Sequence, residues 1–455
     1  MAGSTSGKQH VFQAPRGTRD FYPDDMRKRR WIEEAWRRTA VRHGFEEIDG
    51  PRFEHADLYT VKSGEGILSE LFSFTRAGGE TRFALRPEFT PTLARMVAAK
   101  AASLPKPVKW FSVGPYFRAE RPQRGRLREF LQWNVDLLGS ADDDEETKAR
   151  QDAEVIACCV EMLRDARLSS EHVSVRIGQR QIVEHCLESA YSGGSESGSY
   201  LDPAFALLDK RAKMDEGEFK KQCQALGIDL AHFDDMSSKV DSVARGESST
   251  DSVVNEIARP LVQLRESLDV LGLSDWAQFD CAGIVRGLAY YTGMVFEVHE
   301  VSGKERAIAG GGRYDKLVEL FGGPPTPAVG FAMGDVVLAN VLEDKGLMPA
   351  SEQLAKDLGA RPDVFVISTN DEASEAALPG VVAGLRQAGL HARHTYKTTR
   401  NVGKLLKEAA NVGARFAVIL ENGETCALKD LESGEQMEGV AVASLAAKIG
   451  SGRAG

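Results

Sequence analysis

Apolar residues recur at spacings of three to five from Asp24 to His43, at Met26, Trp31, Ile32, Ala35, Trp36 and Ala40. This pattern predicts an amphipathic helix that begins after Pro23 and ends at Gly44. FEEIDGPRF then reads as a strand with a proline-marked break. Between 83 and 140, VKWFSVGPYFR and EFLQWNVDLLG alternate apolar and polar positions and predict neighbouring strands joined by a polar, arginine-rich loop. Residues 148 to 168 read as a helix and VSVRIG as a short strand. A mostly helical stretch, about 170–272, broken by SGGSESGS, has the character of an insertion. Strand signals return in FDCAGIVRGLAYYTGMVFEVHE and AIAGGGRYDKLVELFGG, followed by a predicted helix after Thr326. A boundary falls near 350 to 361. Beyond it DVFVIS, a helix to Gln387, LHARHTY, a helix around KLLKEAANVG, and FAVIL follow a βαβαβ order, which predicts a small doubly wound domain. The fold class is therefore α/β (α+β), with a larger core at 1–355 and a smaller domain at 361–455.

Length supports that division, since 455 residues exceed what one ordinary core accommodates. No apolar run approaches the roughly 20 residues needed to span a bilayer, so membrane insertion is not expected. The first residues, MAGSTSGKQH, lack the charged and apolar parts of a secretory signal, and a cytoplasmic protein is the expectation. Six cysteines at 158, 159, 186, 223, 281 and 426 contain no CxxC pair, which argues against a zinc site and a disulfide framework. A net charge of -10 is unlike that of a nucleic-acid binder. Yet arginine clusters in RKRR at 27–30 and between 118 and 128, and basic residues gather between 391 and 415, so a local basic surface stays open.

Four constellations bear on chemistry. FRAERPQRGRLREF places Arg118, Arg121, Arg124, Arg126 and Arg128 on one loop with Glu120 and Glu129. Guanidinium forks match phosphate oxygens, and arginine density alone fits a salt-bridged surface loop equally well. VRGLAYYTGMVFE brings an arginine, paired tyrosines and flanking glycines to one strand, suited to ligand contact or to a half-buried strand. AGGGRYDKL offers three glycines before a helix, which could cradle an anion, let a substrate touch the backbone, or simply form a turn. LRPEFTPTLAR holds Glu88 and Thr90, which suit an ammonium group or a capped turn.

Taken in order, these segments resemble the histidyl-tRNA synthetase family from about Pro15 to Glu435. PRGTRDFYP with its helix and Pro51 is similar to the dimer-forming first motif of class II synthetases. FRAERPQRGRLREF is similar to the second motif, RGLAYYTG and AGGGRYD to the two histidine signatures, and TPAVGFAMG to the third motif. The resemblance implies an antiparallel-sheet catalytic core with a helical insertion, followed by an anticodon-binding domain. It implies ATP as substrate with Mg²⁺, L-histidine and tRNA(His) as partners, and a homodimer with no membrane association. It implies catalytic roles for Arg286 and Arg118. Arg118, Glu120, Arg126 and Arg313 would hold ATP. Glu88, Thr90, Gln132, Asp136, Arg286, Tyr290 and Tyr291 would hold histidine. Arg124, Arg393, Lys397, Arg400 and Lys404 would meet tRNA. No metal is expected on protein side chains alone. A carboxylate and a phenol suit an imidazole, which presents one donor and one acceptor on opposite edges. A site built on such pairing rejects apolar amino acids without an editing domain.

The chain departs from the family at four positions. Phe89 replaces a glycine, Ala289 an aspartate and Asp136 a glutamate, and the family's arginine for the terminal phosphate of ATP is replaced by Val337. Either other arginines such as Arg126 or Arg313 hold the ATP tail, or adenylation is lost. In the latter case the resemblance extends to the histidine-binding regulatory subunits of ATP phosphoribosyltransferase. Arg286 and the C-terminal domain, both retained, favour the ligase.

Overall fold

The computed structural model describes residues 12–63, 65–193, 200–211, 214–281, 283, 291–369, 371–397 and 401–451. The amphipathic stretch near the N-terminus forms α1 (Pro23–Arg42). Its proline stands at the first helical position, where the missing N–H is no loss, and Asp24 and Asp25 meet the positive end of the helix dipole. The chain divides into two units, Met1–Phe21 with Ile32–Met348 and Tyr22–Trp31 with Pro349–Gly455.

Eleven strands described in the first unit run in chain order from β1 (Glu46–Glu47) through β2 (Phe53–His55), β3 (Ser73–Thr75), β4 (Arg82–Leu85), β5 (Val108–Phe117) and β6 (Glu129–Leu138). They continue with β7 (Val173–Gln179), β8 (Ala277–Phe279), β9 (Met294–Glu300), β10 (Ala309–Arg313) and β11 (Ala328–Gly334). Eight build one sheet in the order β1-β5-β6-β11-β10-β9-β7-β8, and β2-β4-β3 form a small antiparallel sheet beside it. The six inner strands of the large sheet pair antiparallel, while β1 and β8 join its edges in parallel. The antiparallel core expected from the resemblance is therefore present.

Two expectations need correction. The helix predicted after Thr326 starts only at Asp335, as α11 (Asp335–Asp344). Residues 328–334 are a strand instead, because β11 lies inside the sheet between β6 and β10 and is hydrogen-bonded to both. The glycine run is not an anion-cradling turn. Gly310, Gly311 and Gly312 lie within β10, and their lack of side chains lets the neighbouring strand close in. A Cβ on Gly311 would stand 2.1 Å from the Gly330 carbonyl oxygen.

Helices cover this sheet. α2 (Asp57–Ser63) and α3 (Thr90–Lys100) precede α4 (Glu145–Asp165), whose N-cap Asp144 accepts a hydrogen bond from the Thr147 N–H at 2.8 Å. The acid-rich run before α4 thus has a local reason, since carboxylates stabilise a helix N-terminus. Residues 180–270 contribute α5 (Arg180–Ala190), α6 (Leu201–Leu208), α7 (Glu216–Ala225), α8 (Leu230–Ala244) and α9 (Ser252–Val270). α9 buries Val254, Ala258, Leu261, Leu264 and Leu268, spaced along one face, and packs on α4. α10 (Leu317–Leu320) follows β10.

The second unit adds α12 (Ser351–Asp357) and a sheet of β12 (Val364–Ser368), β13 (Ala392–His394), β14 (Phe416–Leu420), β15 (Thr425–Asp430) and β16 (Gln436–Ala441), ordered β13-β12-β14-β15-β16. Alternation along β12 sends Val364 and Val366 to the face covered by α13 (Glu372–Gln387) and α15 (Leu445–Ser451). It sends Phe365 and Ile367 to the face covered by α14 (Val402–Asn411). The three parallel strands with helices on both faces are the doubly wound arrangement, and β15 and β16 extend it as an antiparallel ribbon beyond the sequence expectation.

All six cysteines are free and buried, and burial pushes the Cys186 and Cys426 thiols up to about 11. No described helix is long and apolar enough to cross a membrane.

Two outcomes test this packing. A Cβ at Gly330 would stand 2.1 Å from Asp136 Oδ1 and 2.7 Å from the Val135 carbonyl oxygen, and a strand carbonyl cannot retreat. Gly330→Ala should therefore lower stability by about 1–3 kcal/mol or more in urea titration, as overpacking does; an unchanged midpoint would contradict the close approach. Glu154 on α4 receives hydrogen bonds from His43 and from Lys109, the latter at 2.8 Å, and these hold its carboxyl down to about 2 from the ordinary 4.5. A lowered folded pKa gives stability that is complete above the unfolded value and fades as pH falls towards 2. Melting temperature across pH 2–5 should thus fall less steeply for Glu154→Gln than for the natural chain; parallel curves would remove Glu154 from the acid response.

Candidate active site

A cleft of about 1390 Å³ opens over one face of the large sheet. Period-two alternation brings Gln132, Asn134 and Asp136 from β6 to its floor, with Glu297 and His299 from β9. β11 contributes Gly330 and Ala332, and β10 contributes Ala309 and Gly310. Glu88 and Thr90 enter from the start of α3, where Thr90 is the first helical residue and Phe89 the N-cap without a side-chain capping bond. Arg118, Glu120, Gln123 and Arg126 enter from the β5–β6 loop.

Asp136 is buried and its Oδ1 accepts a hydrogen bond from the Tyr314 hydroxyl at 2.5 Å. Burial, and then the neighbouring carboxylate, raise the Tyr314 phenol well above its usual range, so it stays a donor. Tyr291, buried at the same end of the cleft, lies against β10, where a Cβ on Gly312 would stand 3.0 Å from its ring. The Asn134 amide donates to the Tyr116 hydroxyl at 3.1 Å. Oε1 of Gln132 and Oε2 of Glu120 are buried polar atoms with no hydrogen-bond partner among the described residues. Such atoms in a cleft wall are free to bond a ligand.

The arginines of the β5–β6 loop divide by what they touch. Arg118 donates through Nε to the Pro87 carbonyl at 3.1 Å and lies over the Phe130 ring, its remaining donors turned to the cleft. Arg126 faces Glu120 at 2.8 Å, and a turn in which the Gln123 and Arg126 backbones bond each other holds it there. Gly125 has φ +73 in that turn, a left-handed conformation that disfavours side chains. Arg124 pairs outward with Glu305 and with Asp344, Arg128 donates to the Glu120 and Arg16 carbonyls, and Arg121 is exposed. Arg121, Arg124 and Arg128 thus fit the surface-loop reading, while Arg118 and Arg126 face the cleft.

Arg313 requires correction as an ATP contact. Its guanidinium is buried away from the cleft, donating to Asp152 at 2.6 Å, to the Lys148 carbonyl at 2.9 Å and to Asp315 at 3.2 Å. Burial pushes Asp152 up to about 6 against the pull of Arg313. The pair ties β10 to α4, and removing one partner would strand a buried charge.

Arg286 and Tyr290 lie outside the described residues, as does Arg400. Arg393 and Lys404 are exposed in the second unit, and Lys397 pairs with Glu408 at 2.9 Å. Val337, buried, forms part of the cleft wall beside Val336, so this wall is apolar as the sequence indicates.

Several cleft residues were not anticipated. Glu297 and His299, 2.8 Å apart, sit two residues apart on β9, an alternation visible in MVFEVHE. Arg176, Arg211 and Arg306 also face the cleft, and nothing in their local sequence singles them out. Arg211 belongs to the 180–270 region, which supplies one wall and holds this side chain by a two-pronged pair with Asp234 at 2.6 and 2.9 Å.

A family model described as histidyl-tRNA synthetase matches residues 17–335, and one described as an anticodon binding domain matches 363–451. A curated histidine--tRNA ligase of Haloarcula marismortui is 36% identical over 440 residues, covering 94% of this chain and 95% of that protein. One of Opitutus terrae is 40% identical over 416 residues, covering 90% of each. Among solved structures, the histidyl-tRNA synthetase of Nostoc sp. PCC 7120 superimposes with a TM-score of 0.72 at 25% identity, covering 97% of this chain and 100% of that one. With the core matched along its length and relatives at this identity covering nearly all of the chain, this protein belongs to the histidyl-tRNA synthetase family.

Proposed function

We propose that this protein joins L-histidine to the 3′-terminal adenosine of tRNA(His) in two steps, by way of histidyl-adenylate, as a cytoplasmic histidine--tRNA ligase. The observation that carries the reading is one cleft holding a fixed carboxylate, Asp136, at one end and cleft-facing guanidiniums, Arg118 and Arg126, at the other. That spacing of charge suits an amino acid with a basic ring laid against a nucleoside polyphosphate.

Asp136, held by the Tyr314 hydroxyl, accepts the imidazole N–H, and Tyr291 meets the far side of the ring. Glu88, Thr90 and the unsatisfied Gln132 oxygen hold the α-ammonium, leaving the carboxylate of histidine free to attack. Arg118 stands at the α-phosphate, Glu120 near the adenine and Arg126 near the outer phosphates. Preorganised guanidiniums stabilise charge as the carboxylate oxygen bonds to the α-phosphorus and pyrophosphate departs. Arg286, by the resemblance of RGLAYY, adds its charge at that phosphorus. Mg²⁺ would enter with ATP as part of the substrate and would help neutralise its phosphates. Glu120 and Glu297, two carboxylates of the cleft, would suit an ion bound chiefly by phosphate and one or two carboxylates.

The terminal adenosine of tRNA then attacks the activated carbonyl and AMP leaves. The second unit receives the anticodon through Arg393, Lys397, Arg400 and Lys404, and Arg124 lies on the path of the acceptor end. Pairing as a homodimer is supported by the β2-β4-β3 sheet, where Phe53 and Phe74 are exposed and their rings stand 5.8 Å apart. Exposed aromatic faces of this kind mark interfaces.

Histidine-dependent ATP–pyrophosphate exchange is the expected activity, and Asp136→Asn should raise KM for histidine by about a hundredfold, the scale of a lost charged hydrogen bond at a buried site. A protein that binds histidine without exchange would instead fit the regulatory-subunit reading. Replacing Arg393 and Lys404 together by alanine should weaken tRNA charging about tenfold while exchange is unaltered, because phosphate contacts add to affinity and not to adenylate chemistry. Equal loss in both assays would count against an anticodon role for these residues.

A further inference from the structure

The wall of the cleft built by the first turn of α11 has no side-chain donor to offer a phosphate. Asp335 is turned away, taking Arg19 at 2.6 Å and the Leu131 N–H at 2.9 Å, and the next two residues are Val336 and Val337. Beyond the backbone N–H groups of this turn, anionic groups lying there find their cationic side-chain partners on other elements. The turn between β9 and β10 faces that wall. Glu305 in this turn is buried and anchored, accepting from Arg124 and from Asn340. With Glu305 pinned on one side, the next side chain, Arg306, is sent to the other and into the cleft.

The position of Arg306 can be read from Gly125. A Cβ there would touch Val337 Cγ2 at 3.2 Å and Arg306 Cδ at 3.7 Å, so the stem of Arg306 and the apolar wall meet the β5–β6 loop at one place. Unlike Arg124, Arg126 and Arg313, Arg306 makes no hydrogen bond or ion pair with any described residue. Confinement in the cleft, and then repulsion from Arg126 and Arg118, hold its proton affinity below that of an ordinary guanidinium, with Glu120 opposing. Three guanidiniums stand here against two carboxylates, Glu120 and Glu297, and this excess of positive charge becomes favourable when a polyanion enters.

We propose that Arg306 is a further arginine of the nucleotide site, binding the outer phosphates of ATP from the β9–β10 turn opposite the Val336 and Val337 wall. The proposal rests on reading the cleft as an ATP site. The contacts of Arg306 are made with the outer phosphates and end when pyrophosphate departs, so it does not touch the adenylate that remains.

That difference supplies the test. The equilibrium affinities of the full-length chain for ATP and for histidylsulfamoyl adenosine, an adenylate analogue without β- and γ-phosphates, are compared with those of Arg306→Ala. The variant should bind ATP at least about tenfold more weakly and show a matching rise in KM for ATP in exchange, as expected for a lost charge-assisted hydrogen bond. Its affinity for the analogue should stay within about twofold, the scatter of a neutral surface change. Arg306→Lys, which keeps the charge without the fork, should fall between. Equal loss for ATP and the analogue would make Arg306 a structural residue, and no loss for either would remove it from the site. Should the natural chain bind ATP but show no exchange, adenylation would fail as the function, and the ATP affinities would still decide Arg306.

Discussion

Asp136 holds a carboxylate inside the face of a sheet, and it can stand there because β11 runs past it without a side chain at position 330. A buried carboxylate is costly unless it is bonded, and Tyr314, carried on the segment that follows β10, reaches it with its hydroxyl. Both residues depend on the same close approach. Glycines on β10 and β11 let these two strands and β6 draw together, so that residues distant in sequence converge within hydrogen-bonding distance. The cleft floor is therefore a product of missing side chains as much as of those present. The selective end of the site inherits the rigidity of the sheet, which suits discrimination by polar pairing.

The arginine-rich end of the cleft is built differently. Its guanidiniums come from turns, and what separates cleft-facing from structural arginines is whether their charged partners lie on the cleft, as Glu120 does for Arg126, or away from it. Arg313 is taken by Asp152 and Asp315, Arg124 by Glu305 and Asp344, and Arg128 by backbone carbonyls. These side chains hold the frame that aims Arg118, Arg126 and Arg306. A uniform run of arginines in sequence thus becomes two populations in space, and acids on other elements do much of the sorting.

Most elements were legible because their periodicity reflects burial. The strands at 108–117 and 129–138, the first helix and the βαβαβ order after 361 all follow alternation or helical spacing that burial enforces. Legibility failed where position in the sheet overrode local pattern. Residues 328–334 carry the glycine, alanine and valine of a covered central strand and lack the polar alternation of an exposed one. The three glycines of β10 suggested a loop because their reason lies on a neighbouring strand. In the site, Asp136, Gln132, Glu88 and Arg118 were legible through the resemblance, and the structure gathers them. Arg313 was expected at ATP and is taken by Asp152, whereas no expectation attached to Arg306. The first stands in a recognisable signature but is claimed by a helix 161 residues away in the chain, and the second has no signature and is aimed by its neighbour Glu305.

The six cysteines have a consequence of their own. Each is buried, burial raises the thiols above their ordinary range, and none lines the cleft. An electrophile or oxidant needs an accessible thiolate, and the folded chain presents none. Alkylating agents and peroxides must therefore wait for local or global opening, and they trap whatever has opened. Thiol oxidation in this protein follows local or global opening, so thiol labelling serves as a clock for that opening.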